Sequence, residues 1–208
     1  MKVAIIDSGV ATPHPHIGSI ARGVNLCAGD PLDFRDRLGH GTAVMAAIME
    51  KAPDAEFFAV RVFDTSLRTP FDLLARAIEW ALDHHADLIN LSLGTEGHAA
   101  DFAPLLHRAD RAGSLLIAPS NAIPGSLPGV VAVAADPACP RDEYRTVHVN
   151  GRLEFRASPY ARPIPGVPLD RNLNGVSFAV ANFTGIVARD YHRFVAEFSS
   201  EIKSKSRS

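Results

Sequence analysis

Short, almost entirely apolar runs recur along the chain and are separated by stretches with helical spacing. These runs occupy residues 2–6, 57–62, 87–92, 114–118 and 130–134. Runs this apolar are typical of strands in a parallel sheet that helices cover on both faces. The alternation therefore predicts an α/β fold, a three-layer sandwich with a mainly parallel sheet flanked by helices.

Local signals place the helices between these strands. Thr69 can cap a helix, Pro70 suits its first position, and Asp72 interacts favourably with the helix dipole. Another helical stretch covers residues 99–112 and is followed by Gly113, a residue typical of helix ends. The last helix is predicted over residues 177–194.

One segment departs from the strand and helix alternation. Residues 145–149 and 152–156 read as strands and flank Asn150-Gly151. This dipeptide is the strongest short signal for a tight hairpin. We therefore expect one antiparallel hairpin near residues 145–156, at an edge of the sheet.

Length and charge limit the classes of function. The chain has 208 residues, which suits one domain, predicted over residues 1–198 with a disordered tail at 199–208. With 21 basic and 23 acidic side chains the formal net charge is −2, so neither nucleic acid nor an anionic membrane is an expected partner. No apolar run is long enough to span a bilayer.

The first residues lack the pattern of a signal peptide. Cys27 and Cys139 are too few for a disulfide scaffold and have no metal-ligand spacing. We expect reduced thiols in a cytoplasmic protein, although the sequence leaves one disulfide possible. His14 and His16 flank a proline, but they lack carboxylate or thiolate neighbours at ligand spacing, so no metal site is predicted.

Four polar residues stand where a strand ends or a helix begins. Asp7 ends the first apolar run, His40 lies between two glycines before a helical run, Ser177 opens the last helix, and Asn121 follows a strand. Each has an ordinary alternative: a turn Asp, a surface His, a helix-capping Ser or a turn-forming Asn. Together they could supply an orienting carboxylate, a base, a nucleophile and an oxyanion donor.

The order Asp, His, Asn, Ser in these contexts resembles that of the subtilisin-like serine peptidases, the subtilases. The resemblance runs from residue 3 to about residue 188. It rests on five motifs, which span Ile5–Gly9, Gly39–Val44, Ala52–Ala55, Ala86–Gly94 and Gly175–Ala179.

The resemblance implies a catalytic triad of Asp7, His40 and Ser177, with Asn121 as a donor to the oxyanion. It also implies that the backbone of Ser92, Leu93 and Gly94 pairs with an extended peptide substrate. The family's usual Ala-Gly before the Asn is Pro119-Ser120 here, and the serine tolerates a positive φ poorly. The strongest calcium site of the family lacks its loop in this chain, so no metal or cofactor is expected.

These features predict a small intracellular serine endopeptidase without a pro-domain. A cytoplasmic enzyme of this kind fits restricted processing of a precursor or leader peptide better than general proteolysis. The alternative is a peptide-binding subtilase module that is catalytically silent or that acts as a transpeptidase. The expected partner is in each case a peptide or protein, and a nucleotide-binding domain is disfavoured because no Gly-rich loop follows the first strand.

Overall fold

The computed structural model describes residues 1–94 and 99–203 and contains a sheet of eight strands. The strands are β1 (Lys2–Asp7), β2 (Arg22–Asn25), β3 (Glu56–Arg61), β4 (Leu88–Leu91), β5 (Leu115–Pro119), β6 (Val131–Ala135), β7 (Tyr144–Val149) and β8 (Arg152–Ala157). Their order in the sheet is β2-β3-β1-β4-β5-β6-β8-β7. Every neighbouring pair is parallel except β7 and β8.

Five α-helices flank the sheet in the described ranges: α1 (His40–Met49), α2 (Phe71–Asp83), α3 (Ala99–Ala112), α4 (Val176–Arg189) and α5 (Tyr191–Lys203). Helices α1, α4 and α5 pack in one apolar cluster, and α2 and α3 pack in the other. The predicted three-layer α/β sandwich is confirmed.

Strand β1 shows why the strands are apolar throughout. Val3 and Ile5 belong to the cluster under α1 and α4, whereas Ala4 and Ile6 belong to the cluster under α2 and α3. Side chains alternate between the two faces, so a strand covered on both faces is apolar at nearly every position. Each large aliphatic side chain buried in this way contributes about 1.5–3 kcal/mol.

The predicted hairpin is present. Strand β7 pairs antiparallel with β8, and the turn residues Asn150 and Gly151 have φ values of 50° and 71°. Two successive positive φ angles define the turn that matches the twist of a two-stranded ribbon. Strand β7 lies at the end of the strand order, so the hairpin forms an edge of the sheet.

The predicted final helix over 177–194 is wrong in its extent, because two helices occupy this region. Helix α4 ends at Arg189, and the backbone of the next residue, Asp190, leaves helical geometry (φ −114°, ψ 31°). The carbonyl of Asp190 accepts the N–H of Phe194 in the next helix. The turn brings Phe194 and Phe198 against Phe155 of the hairpin, with ring centroids 5.4 and 5.2 Å apart. Burial of these rings favours a turned chain over one straight helix.

Two further differences concern the C-terminal residues and the edge strand β2. Helix α5 continues to Lys203, so residues 199–203, assigned to a disordered tail, are helical, and residues 204–208 lie outside the described residues. Strand β2 was not predicted because only Asn25 of its residues is buried. A short edge strand with exposed side chains carries little apolar signal.

Side chains that could bind metal or form disulfides lie apart. Cys27 and Cys139 are both free thiols. Within residues 1–94 and 99–203 there is no group of three or more His, Cys, Asp or Glu side chains placed to hold a metal ion. The same ranges contain no helix with the length and apolar character needed to cross a membrane.

Candidate active site

The carboxyl ends of three neighbouring parallel strands bring the candidate residues to one edge of the sheet. Strand β1 pairs with β4 and β4 with β5, both in parallel. Asp7 ends β1, Ser92 follows β4, and Asn121 follows β5 after one intervening residue. This edge is where open α/β sheets place their ligands and reacting groups.

Asp7 and His40 form a buried hydrogen-bonded pair. Oδ1 of Asp7 lies 2.8 Å from Nδ1 of His40 and also accepts the backbone N–H of Ser8 at 2.7 Å. Asp7 is fully buried, and the His40 side chain is 16% exposed. A carboxylate bonded to Nδ1 keeps the proton on that nitrogen and leaves Nε2 free to act as a base.

Two glycines allow close packing around the β1 end, because Gly41 at the start of α1 packs against this end and Gly9 packs against the loop before α1. A Cβ on Gly41 would lie 2.3 Å from the carbonyl oxygen of Gly9, and a Cβ on Gly9 would lie 2.2 Å from the carbonyl oxygen of Phe34. No side chain fits at such distances without backbone movement. Gly41 also donates its N–H to Ser8 Oγ at 2.8 Å, which ties the two segments together.

Asp36 holds the turn that carries His40, and the sequence reasoning missed it. Its Oδ1 accepts the N–H groups of Leu38 and Gly39, at 2.9 and 2.8 Å. Its Oδ2 accepts the N–H and the hydroxyl of Thr42, at 2.8 and 2.6 Å. An Asp shortly before a helix is a known capping signal, so its position in the sequence could have been noticed.

The surroundings shift the pKa values of Asp36 and His40. Burial favours the neutral form of Asp36, but the hydrogen bonds from Thr42 and Leu38 outweigh it and lower the pKa of this carboxyl. Burial likewise disfavours the imidazolium of His40, but the hydrogen bond and charge of Asp7, with a contribution from Asp36, raise its pKa above the usual 6.5. The raised pKa makes His40 a stronger base than a free imidazole.

Ser177 lies at the second position of α4, and the residue that follows it lies near His40. The ring of His40 is 5.8 Å from the ring of Phe178, the residue after Ser177. The hydroxyl of Ser177 donates to the carbonyl of Ser92 at 3.0 Å, and within the described ranges no hydrogen bond joins it to His40. Catalytic hydrogen bonds are often incomplete in substrate-free structures, so proximity of the segments is the relevant observation.

A buried polar network supports the Ser177 segment. The Ser92 hydroxyl donates to the carbonyl of Ser177 at 2.9 Å, and Nδ2 of Asn90 donates to Ser92 Oγ at 2.9 Å. Oδ1 of Asn90 lies 3.0 Å from Thr184 Oγ1. Asn90, Ser92 and Thr184 are all buried. The sequence reasoning missed Asn90 and Thr184, because only the folded chain brings β4 and α4 together.

Two hydrogen-bond donors could stabilise a developing oxyanion. The N–H of Ser177 belongs to the first turn of α4 and has no acceptor among the described residues. Asn121 is exposed in the turn after β5. Ser120 keeps a negative φ, since the non-glycine residues with positive φ in the described ranges are His85 and Asn150. Replacing the family's Gly by Ser120 therefore introduces no left-handed strain before Asn121.

The predicted substrate-binding segment continues from β4. Ser92 and Leu93 are buried, and Gly94 is exposed. A Cβ on Gly94 would lie 2.7 Å from Cβ of Ala122, so this segment and the turn containing Asn121 are close neighbours. The segment from Ser92 to Gly94 is outside the described strands, so its pairing with a peptide stays a prediction.

Comparison with known proteins gives matches over most of the chain. The Subtilase family model matches residues 1–135, a range that includes Asp7 and His40. A thermostable alkaline protease of Halalkalibacterium halodurans is 29% identical over 233 residues, which cover 98% of this chain and 60% of that protein. The M-protease of Shouchella clausii is 30% identical over 209 residues, which cover 90% of this chain and 53% of that protein. The chain thus spans little more than half the length of these relatives.

A solved structure is also similar. The prenylagaramide maturation protease PagA superposes with a TM-score of 0.71 and 26% sequence identity, over 95% of this chain and 77% of that chain.

Proposed function

Because the chain belongs to the subtilase family, we propose that it is a serine endopeptidase with Ser177 as its nucleophile. The observation that carries this proposal is the buried hydrogen bond between Asp7 and His40. The imidazole ring of His40 also lies beside the start of α4. A buried carboxylate bonded to a partly exposed imidazole is the orienting half of a Ser-His-Asp triad.

In the proposed reaction, Ser177 Oγ attacks the carbonyl carbon of the scissile peptide while Nε2 of His40 takes the hydroxyl proton. The tetrahedral intermediate then collapses as the imidazolium returns that proton to the leaving nitrogen, which forms an acyl-enzyme and releases an amine. Water attacks the ester with His40 again as the base. Asp7 holds the ring and stabilises the imidazolium throughout.

In this proposal the oxyanion of the intermediate accepts hydrogen bonds from the backbone N–H of Ser177 and the side-chain amide of Asn121. The first lies at a helix start, where the dipole favours negative charge. Loss of one such donor typically costs about a hundred- to thousand-fold in rate. In the same proposal the backbone of Ser92, Leu93 and Gly94 pairs with the part of the substrate that precedes the cut.

We further infer that the substrate is a precursor or leader peptide, which is cut at a defined bond. This processing would take place in the cytoplasm. PagA, with a similar fold, is a maturation protease. The free thiols of Cys27 and Cys139 agree with a reducing compartment.

The alternative function is peptide binding without hydrolysis, or transfer of the acyl group to an amine. One observation favours the silent module, namely that the Ser177 hydroxyl donates to Ser92 rather than to His40. Hydrolysis and acyl transfer both require this hydroxyl to turn toward the base when substrate binds, whereas a silent module keeps it in place.

Labelling with a fluorophosphonate probe tests the proposal. The folded wild-type protein should label at one site, Ser177→Ala should not label, and His40→Ala should label far more slowly. Circular dichroism of each variant provides the folding control. Absence of labelling in well-folded wild-type protein, or equal labelling of Ser177→Ala, would contradict the peptidase. Mass spectrometry of a cleaved peptide, with and without an added amine, separates hydrolysis from transfer.

A further inference from the structure

We propose that a cavity beside His40 binds the leaving segment of the substrate and selects a carboxylate in it, an inference that rests on the proposed peptidase function. The cavity has a volume of about 280 Å³. It lies between the outer face of α1 and the loop that precedes α4. Its walls include Gly39, Ala43 and Ala46 from α1 and Leu173 from the loop.

The position of the cavity identifies the part of the substrate that reaches it. His40 must protonate the leaving nitrogen, so the segment after the cut has to leave the site past the α1 start. The cavity begins at Gly39, adjacent to His40, and continues along α1 to Ala46. These positions are about 10 Å apart along the helix axis, and an extended peptide covers about 3.3 Å per residue. The second to fourth residues after the cut would therefore lie in the cavity.

The walls have a basic character without an acidic counterpart. His14, His16 and Arg162 line the cavity, and its lining contains no Asp or Glu. Arg162 donates to the carbonyl of His16 at 3.2 Å, and no carboxylate of the described residues forms an ion pair with it. A half-buried guanidinium whose protein partner is a neutral carbonyl retains donors for a carboxylate ligand.

The two histidine rings add hydrogen-bonding nitrogens to the cavity wall. Nδ1 of His14 accepts the N–H of His16 at 3.2 Å, so the proton of a neutral His14 ring is on Nε2. Burial, followed by the charges of Arg162 and His14, lowers the pKa of His16 below 6.5, although the charge of Glu50 acts in the opposite direction. His16 is therefore mostly neutral at pH 7, and the guanidinium of Arg162 in the cavity wall favours an anion over a cation.

The rim of the cavity is apolar. Ile164 and Leu173 are 45% and 53% exposed and present apolar surface at the rim. Ala43, Ala46 and Ala161 contribute an apolar wall. An apolar rim and a cationic wall together fit a peptide segment in which a carboxylate follows aliphatic residues.

Matched peptide substrates test the inference. All carry an amidated C-terminus and differ only by Glu or Gln at the second, third or fourth residue after the cut. We expect kcat/KM to be about three- to tenfold higher for Glu at one of these positions, and the preference to shrink in 1 M salt. A further pair with Gln and a free or amidated C-terminus distinguishes a side-chain carboxylate from a terminal one.

Variants assign the preference to the cavity. Arg162→Gln should remove the preference for Glu, Arg162→Lys should retain part of it, and Arg171→Gln, an exposed arginine of the same loop, should leave it unchanged. Equal rates for Glu and Gln peptides in the wild-type enzyme would overturn the inference while the peptidase remains. A Glu preference that survives in folded Arg162→Gln would overturn the assignment to this cavity.

Binding to Ser177→Ala separates this inference from the proposed function. Of the free peptides that correspond to the leaving segment and carry Glu as their second, third or fourth residue, at least one should shift the ring resonances of His16 in NMR spectra and raise its pKa. Its Gln counterpart should bind at least threefold more weakly. If the wild-type protein cleaves nothing and does not label, the peptidase proposal fails, and this titration still decides the cavity: no shift with any of the Glu peptides would overturn it.

Discussion

Ser177 and Ser92 exchange two hydrogen bonds across the active-site edge of the sheet. The hydroxyl of Ser177 donates to the carbonyl of Ser92 at 3.0 Å, and the hydroxyl of Ser92 donates to the carbonyl of Ser177 at 2.9 Å. The pair fixes the α4 start against the end of β4. Since Asn90 donates to Ser92 from inside the core, the backbone of the proposed nucleophile is held by a buried side chain.

Substitution Ser92→Ala should lower kcat about tenfold with little change in KM. It removes the bond to the Ser177 carbonyl and leaves Nδ2 of Asn90 without its acceptor, a loss that costs about 1–3 kcal/mol. Steady-state kinetics with a cleavable peptide measures the effect. Ser114→Ala is the control, because Ser114 also donates from a buried position, to Ala86, but away from the site. Equal kcat losses in both variants would contradict the positioning role.

Substitution Gly41→Ala should remove most of the activity and destabilise the fold. The new Cβ would lie 2.3 Å from the Gly9 carbonyl oxygen, so the β1 end and the α1 start must separate, and with them Asp7 and His40. Peptide hydrolysis and thermal unfolding measure the two effects. Gly18→Ala is the control, because Gly18 has open space around it. Normal activity in Gly41→Ala would show that the close approach is not needed.

The pH dependence of kcat/KM should have an acid limb with a midpoint above 6.5. The reaction needs neutral His40, and the bond and charge of Asp7 raise the pKa of this imidazole despite its burial. Removal of the Asp36 charge in Asp36→Asn should move the limb to lower pH. A limb that stays in place in a variant with native circular dichroism would exclude this influence of Asp36.

The raised pKa of His40 also makes the free energy of unfolding depend on pH. Between 6.5 and the folded pKa of His40, the folded protein binds more protons than the unfolded chain. The contribution of this group is therefore complete below pH 6.5 and is lost as pH rises through the folded pKa. Urea unfolding of the wild type and His40→Ala across this range should show the difference narrowing with pH.

Substitution Lys51→Met should stabilise the protein at pH 7 by about 1–3 kcal/mol. Lys51 is buried at the end of α1, and this burial lowers its pKa to about 8. Between pH 8 and 10.5 the unfolded chain holds the Lys51 proton that the folded protein has lost, so wild-type stability gains with rising pH. Urea unfolding at pH 7 and 9.5 should show the advantage of Lys51→Met decreasing. A constant difference between the two pH values would contradict the lowered pKa.

Much of the fold follows from local patterns. The apolar runs predicted β1 and β3 to β6 within one or two residues, because strands covered on both faces are apolar at nearly every position. The turn at Asn150-Gly151 predicted the hairpin, since its φ angles suit those residues. Helix α3 ends before Gly113, as predicted. The break at Asp190 was missed, because burial of the Phe194 and Phe198 rings against the hairpin, rather than a local signal, favours it.

By itself the sequence determined the fold class, the family and the candidate residues Asp7, His40 and Ser177, because short motifs at strand ends and helix starts are local in the chain. Only the tertiary structure decided which groups surround them. Asn90 bonds Ser92 and Thr184, and the Ser177 hydroxyl takes Ser92 rather than His40 as its partner. These contacts join β4 to α4 across more than eighty residues. Hydrogen bonds between segments so far apart depend on how the helices pack on the sheet, which no local pattern encodes.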